Sequence, residues 1–304
     1  MHLTSQLSKV LERVVGLDFL PYLAEPSKTG LNQFAYLKKK GARDLLALLT
    51  LEWLHAFNKR MKIAILCSDV SGTFDRVHTV RLLQRLEAIG VRGRYLEILK
   101  SWLAARHAVV NLSGEQSDGF ELTNQVYQGT VWGPPLWNAF FASVLEAASK
   151  DGFTGYGFAD DLNSFKAYKE SASNMDILDD LGQCQTNIHD WGAANFVCFD
   201  ASKESSHILS RRWPHGEPFK LLGVLFDMML TMEAEIQNLA QKLNWKLSTL
   251  LKMRRFYSFA DMIMEYKARL LSLTEYRTAA IYHAAPSALD RIDRVQGRLL
   301  REMG

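Results

Sequence analysis

Two apolar runs in this chain end in carboxylates, and that pairing restricts its fold more than any other feature. The run KIAILCS over 62–68 is followed by Asp69. Ninety-one residues later, GYGFADDLNSF sets Asp160 and Asp161 between two apolar stretches. The first run has the aliphatic composition of a buried central strand. The second predicts a β-hairpin over 153–168 with the two aspartates at its turn. An acid at the end of a buried strand is costly unless it faces a cation. If neighbouring strands bring the turn and the strand end to one edge, three carboxylates meet there. They would repel one another and raise one another's pKa values unless a cation were present. Such an oxygen set suits hard divalent metals, Mg²⁺ best. Taken singly, each residue is ambiguous. An acid at a strand end is often a cap or turn residue, and paired aspartates often make only a hairpin turn. Asp75 reads as a helix cap.

The rest of the chain supplies the frame. Apolar periodicity predicts helices over 3–15 and 41–59, then 77–88 and 92–106 with a break at Gly90. Strands are expected at 107–113 and 119–126. Pro134 and Pro135 suit the first turn of an apolar helix reaching about 149. A helix over 172–195, two strands around 205–210 and a hairpin near 219–230 follow. Four helices close the chain at 233–253, 258–271, 273–283 and 286–303. Strands stop near 232, and the charge balance changes there. From Glu233 onward 12 Lys and Arg face 8 Asp and Glu, whereas the rest of the chain holds 24 against 25. The net charge of +3 is therefore concentrated at the C-terminal end, which favours a nucleic-acid contact there.

With 304 residues, 48% apolar and 23% charged, the chain has the composition of a folded protein with ample core. No run is long enough to cross a bilayer, and the start lacks a signal-peptide core, so no membrane role is expected. Cys67, Cys184 and Cys198 are odd in number, scattered and without zinc spacing. They read as small buried hydrophobes in a reducing, intracellular setting, nuclear or cytoplasmic.

Between the acidic segments lies NQVYQGTVWGPPLWNAFFASVLEAA, and the order of the three blocks is more specific than any one of them. The chain resembles the reverse transcriptases of non-LTR (LINE-type) retrotransposons. DVSGTFDRV looks like that family's first catalytic motif, QGTVWGPPLWNAFF its template- and nucleotide-binding motif, and FADD its YADD box. FKLLGVLFD resembles the primer-grip hairpin, and LTSQLSKVLERVV and the C-terminal segments also look like the family. The resemblance implies an α/β (α+β) right-hand polymerase. Residues 1–60 would be partial helical fingers. An antiparallel-sheet palm would span 61–232, with a fingers insertion at about 77–127, and a helical thumb would span 233–304.

It further implies an RNA-directed DNA polymerase with catalytic Asp69, Asp160 and Asp161. Two Mg²⁺ ions, with Mn²⁺ as a substitute, would be held by Asp69, Asp160, Asp161 and the Val70 carbonyl. Phe74 would lie under the nucleotide sugar and exclude a 2′-hydroxyl. Gln128 and Gly129 would meet the incoming nucleotide and the template, and Lys203 the leaving pyrophosphate. The family's fingers also supply basic contacts, for which Lys38, Lys39, Lys40 and Arg43 are available. Arg291, Arg294, Arg298 and Arg301 recur at spacings of three and four, placing them on one helix face to meet duplex phosphates. The partners implied are an RNA template, a DNA primer and dNTPs, with an endonuclease supplied elsewhere. The family's basic stretch ahead of LTSQLSKVLERVV would precede Met1, as in a truncated element copy. Bland readings stay open beside these: Phe74 as core, Gln128–Gly129 as a turn, Lys203 and the arginines as solvated surface.

Two alternatives belong to other classes. DVSGT also fits the nucleophile motif of haloacid-dehalogenase phosphatases, which expects the first strand of a parallel, alternating β/α sheet. A catalytically inactive nucleic-acid-binding remnant of a retroelement is the other.

Overall fold

The computed structural model describes residues 4–104 and 106–303. Helix α1 (Gln6–Leu23), a short α2 (Pro26–Thr29) and α3 (Ala42–Asn58) precede strand β1 (Met61–Asp69). A 3-10 turn, Thr73–Arg76, leads to α4 (Thr79–Ala88) and α5 (Arg94–Leu103). Four short strands follow: β2 (Arg106–Ala108), β3 (Asn111–Leu112), β4 (Glu115–Gln116) and β5 (Phe120–Leu122). Helix α6 (Gly133–Ala148) leads into the hairpin of β6 (Thr154–Phe158) and β7 (Asp161–Lys169), then α7 (Asn174–Asn195) and β8 (Ser205–Leu209). The chain ends with β9 (Phe219–Leu221), β10 (Val224–Phe226) and four helices: α8 (Glu233–Lys252), α9 (Phe259–Tyr266), α10 (Ser272–Ile281) and α11 (Pro286–Met303).

Strand order in the main sheet is β6-β7-β1-β8, and β6 pairs antiparallel with β7 in the register Phe158↔Asp161. Only Ala159 and Asp160 therefore lie between the paired ends. β1 is buried along Lys62–Leu66, as its unbroken apolar run requires. Helix α6 opens with Pro134 and Pro135 in its first turn and buries most of its length, including Trp137, Phe140 and Phe141.

Contacts divide the chain into two units. The first holds Met1–Gly41, Ile65–Lys166 and Leu178–Ser206; the second holds Ala42–Ala64, Ala167–Ile177 and His207–Gly304. In the first, α6 packs against α1, α4 and β6. In the second, α8 lies along α11, and α3 packs on α10. There, Trp53 meets Phe219 and Phe226 edge-on, at centroid separations of 6.2 and 5.3 Å.

Several local expectations are corrected. Helix α1 continues to Leu23 with Pro21 inside it, well past residue 15. The strands expected at 107–113 and 119–126 shrink to two small ladders, β2 with β5 and β3 with β4. Their Val109, Val110, Leu112 and Phe120 are all exposed, so no buried face selects a longer pairing. One strand, β8, stands where two were expected at 205–210. Asp75 is not a helix cap: it lies within the Thr73–Arg76 turn, and His78 precedes α4. Cys184 is buried and Cys67 half-buried, but Cys198 is exposed. Its carbonyl accepts the Ser71 N–H at 2.9 Å, which keeps the segment at the surface beside the end of β1.

Candidate active site

In the first unit, the end of β1 and the β6–β7 turn bring the three predicted carboxylates together. Asp69 closes β1, and its backbone carbonyl accepts the Asp200 N–H at 2.9 Å. Val70, next in line, forms an isolated antiparallel bridge with Phe199. Asp160 occupies the turn, and Asp161 starts β7. All three carboxylates are half-buried. The Asp161 carboxyl is pushed up to about 6, first by burial, then by the charges of Asp160 and Asp69, and by a hydrogen bond to Asp69. Such crowding is what carboxylates gathered without a cation produce.

Two other side chains hold the set in place. Lys203 Nζ lies 2.6 Å from Asp69 Oδ2 and 3.8 Å from Asp200 Oδ2. The hydrogen bond to Asp69 is the main reason the Lys203 ammonium is held above its ordinary value. Thr73 Oγ1 donates to Asp160 Oδ2 at 2.8 Å. Gly72, at φ +73°, turns the chain after Val70 and leads into the 3-10 turn that carries Thr73.

Phe74 is half-buried between two rings. Tyr36 meets it edge-on at 6.2 Å, and Trp137 lies tilted at 5.7 Å. The Phe74 carbonyl accepts the Val126 N–H at 2.8 Å, tying this turn to the segment that ends in Gln128 and Gly129. Both of those residues are exposed. Gly129 adopts φ +81°, and its carbonyl accepts the Thr4 hydroxyl at 3.1 Å. Behind that segment, the buried Glu12 accepts the Val131 N–H at 2.6 Å and the Trp102 indole N–H at 3.2 Å.

A family model described as reverse transcriptase (RNA-dependent DNA polymerase) matches residues 1–226. The chain belongs to the reverse transcriptase family. Its curated relatives include the RNA-directed DNA polymerase from mobile element jockey of Drosophila melanogaster. That protein is 26% identical over 99% of this chain and 35% of its own length. The probable RNA-directed DNA polymerase from transposon X-element of the same species is 23% identical over 98% of this chain and 34% of its own. These relatives support the LINE-type affiliation read from the motifs. The chain spans about a third of the length of the curated relatives it matches. Among solved structures, apo telomerase from Candida tropicalis superposes with a TM-score of 0.53 at 10% identity, over 97% of this chain and 54% of that one. Telomerase from Candida albicans, solved with a fragment of telomeric RNA, gives 0.50 at 12%, over 97% and 52%. At such identities the likeness speaks for the fold alone, which is that of the right-hand polymerases.

Among the described residues, the context expected for a phosphatase is missing. β1 is not the opening strand of an alternating parallel sheet, and the second acidic block sits in an antiparallel hairpin. Nothing supports the phosphatase alternative.

The family generally uses divalent metal. Among the described residues, no three His, Cys, Asp or Glu side chains already form a ligand cluster. The donors nonetheless fit a hard cation, being carboxylate oxygens with an ammonium already seated against one of them. Among the described residues, no helix is long and apolar enough to cross a membrane.

The arginine stripe lies in the second unit, on α11, and it divides. Arg291 pairs with Glu233 at 2.5 Å, and Arg298 donates to Ser248 Oγ at 3.2 Å; both are half-buried along α8. Arg294 and Arg301 are exposed. The helix buries Ala288, Val295 and Leu299, so the arginines flank the apolar seam. Arg291 and Arg294, with Gln237, Gln241 and Asn244, line an open cleft of about 420 Å³. Of the basic run before α3, Lys40 serves the structure: its ammonium donates to the Leu31 and Gln33 carbonyls.

Thr73, Tyr36, Gln33 and Glu12 were missed in the sequence. Thr73 stands inside DVSGTFDRV and could have been weighed with it. The other three act across long stretches of chain and leave no local signal.

Proposed function

We propose that this chain performs RNA-templated DNA synthesis: a primer 3′-hydroxyl attacks the α-phosphate of a dNTP and pyrophosphate leaves. The observation that carries the reading is the convergence of Asp69, Asp160 and Asp161 in a chain of this family. Residues 1–60, 61–232 and 233–304 would then serve as partial fingers, palm and thumb, with 77–127 inserted in the palm. Asp69, Asp160, Asp161 and the Val70 carbonyl would hold two Mg²⁺, or Mn²⁺ in their place. When bound, the ions supply activation of the attacking hydroxyl and charge neutralisation at the phosphates.

The chain's own groups do the rest. Lys203 pairs with Asp69 and would place its ammonium to meet the leaving pyrophosphate. Thr73 fixes the rotamer of Asp160. Phe74, backed by Trp137, forms a rigid wall under the sugar that a 2′-hydroxyl would strike. Gln128 and Gly129 present an exposed backbone turn to the nucleotide and the template. Arg294 and Arg301 are the exposed arginines of this stripe, free to meet duplex phosphates, whereas Arg291 pairs with Glu233 and Arg298 donates to Ser248. The RNA template is supported by the polymerase family. The DNA primer and an endonuclease supplied elsewhere follow from the LINE-type affiliation alone, and the nuclear or cytoplasmic setting from the scattered, unpaired cysteines.

The test is extension of a labelled DNA primer annealed to RNA, with dNTPs and Mg²⁺. Template-dependent extension supports the reading. Duplex binding without extension, in Mg²⁺ and in Mn²⁺, would favour the inactive remnant.

A further inference from the structure

We propose that Gln33 is a positioning residue for the carboxylate turn: its buried amide oxygen fixes Ala159, and through it the direction in which Asp160 and Asp161 are presented. The inference rests on the polymerase reading of that site.

Gln33 is fully buried, where an amide side chain must find partners. Its Oε1 accepts three backbone N–H groups: Phe34 at 2.9 Å, Ala35 at 3.0 Å and Ala159 at 3.3 Å. Two of these donors belong to its own loop, so the third is a tie across 126 residues to the turn before Asp160. Ala159 needs such a tie. It sits at φ +59°, a left-handed conformation that strains any residue with a Cβ. Its other polar group is held as well, because the Trp137 indole N–H donates to the Ala159 carbonyl at 2.9 Å. The turn residue is thus gripped on both sides by buried side chains.

The surroundings are built to receive Gln33. Its loop docks along β6: Gly157 N–H donates to the Asn32 carbonyl, and Phe34 N–H to the Gly157 carbonyl, both at 3.0 Å. A Cβ at Gly157 would lie 3.1 Å from Gln33 Nε2, so the glycine makes room for the amide. Asn138 on α6 pins the same loop by donating to the Ala35 carbonyl at 2.8 Å. Gln33 Nε2 is buried with no hydrogen-bond partner among the described residues. Only the oxygen is used, which makes the role separable: a carboxyl can replace the amide, and a thioether of equal length cannot.

The test compares Gln33→Glu with Gln33→Met in the whole chain. The readouts are amide hydrogen exchange at Ala159, single-turnover primer extension, and primer–template affinity. Gln33→Met should raise exchange at Ala159 about tenfold or more while the amides of α6 keep their protection. Its extension rate should fall on the order of 10²-fold, the cost of misplacing reacting groups by about 1 Å, with primer–template affinity within about threefold of wild type. Gln33→Glu should retain both protection and rate. Unchanged exchange at Ala159 in Gln33→Met would overturn the proposal, as would equal losses in both variants. Gln33→Asn, whose oxygen stops one methylene short, carries the same test if the methionine variant does not fold. If wild type extends no primer, the polymerase reading falls, and the exchange arm still decides whether Gln33 holds the turn.

Discussion

Phe74 shows how one side chain can answer to both core and site. Its ring is only half-buried although Tyr36 and Trp137 flank it, so part of it stays accessible. Phe74→Ala should therefore raise ribonucleotide incorporation relative to deoxynucleotide by about tenfold or more, because steric exclusion in a tight site is lost. Competition between rNTPs and dNTPs in primer extension measures it; an unchanged ratio in an active variant would return Phe74 to the core. His207 gives a prediction for stability. It stacks on Phe219 at 4.4 Å, and burial lowers its pKa from 6.5 to about 4. Protons therefore bind the unfolded chain more readily than the folded one. The stability contribution is complete above about 6.5 and is lost as pH falls from there to about 4. Allowing for solvent screening, the loss amounts to about 2–3 kcal/mol. In urea titrations from about pH 7.5 to about 4.5, stability should fall more steeply toward low pH in wild type than in His207→Gln.

At the scale of elements, what could be read from sequence was whatever a local pattern decides. The apolar run of β1, the proline-opened α6 and the FADD hairpin all carry their own signals, and each formed where expected. Helix α1 was cut short because its continuation depends on a distant partner: a Cβ at Gly16 would stand 3.2 Å from the Trp132 indole nitrogen, so the glycine lets that ring close on the helix. The arginines of α11 misled for a related reason. Spacing gives angular position but not the neighbour, and α8 takes up Arg291 through Glu233 and Arg298 through Ser248. The prediction narrows accordingly. Arg294→Ala with Arg301→Ala should lower the salt slope of log K for a primer–template duplex by roughly 0.7–0.9 per contact, alike for different sequences. A salt series by fluorescence anisotropy measures it, and an unchanged slope would make both arginines solvated surface. The FKLLGVLFD hairpin is likewise braced from outside its own sequence. Tyr276 donates to the Leu222 carbonyl at 2.8 Å, and Glu235, paired with Arg277, accepts the Leu225 N–H at 3.1 Å.

For the whole molecule, the order of the motifs was enough to indicate the family, and the family model covers residues 1–226. What the order could not supply was the support around the carboxylates. Gln33 and Tyr36 lie outside the quoted motifs, and Glu12, within LTSQLSKVLERVV, acts like Gln33 on residues roughly a hundred positions away, while Tyr36 meets a ring edge-on. The central claim is that Asp69, Asp160 and Asp161 act as one site on behalf of a polymerase. Single-turnover extension of a DNA primer on RNA by Asp160→Asn tests it most directly, beside wild type and with primer–template affinity measured in parallel. The amide keeps the shape of the turn and can still accept from Thr73, but it removes a charged ligand. Extension should fall by about 10³-fold or more while duplex affinity and thermal stability stay near those of wild type. Extension by Asp160→Asn within about threefold of wild type would contradict it.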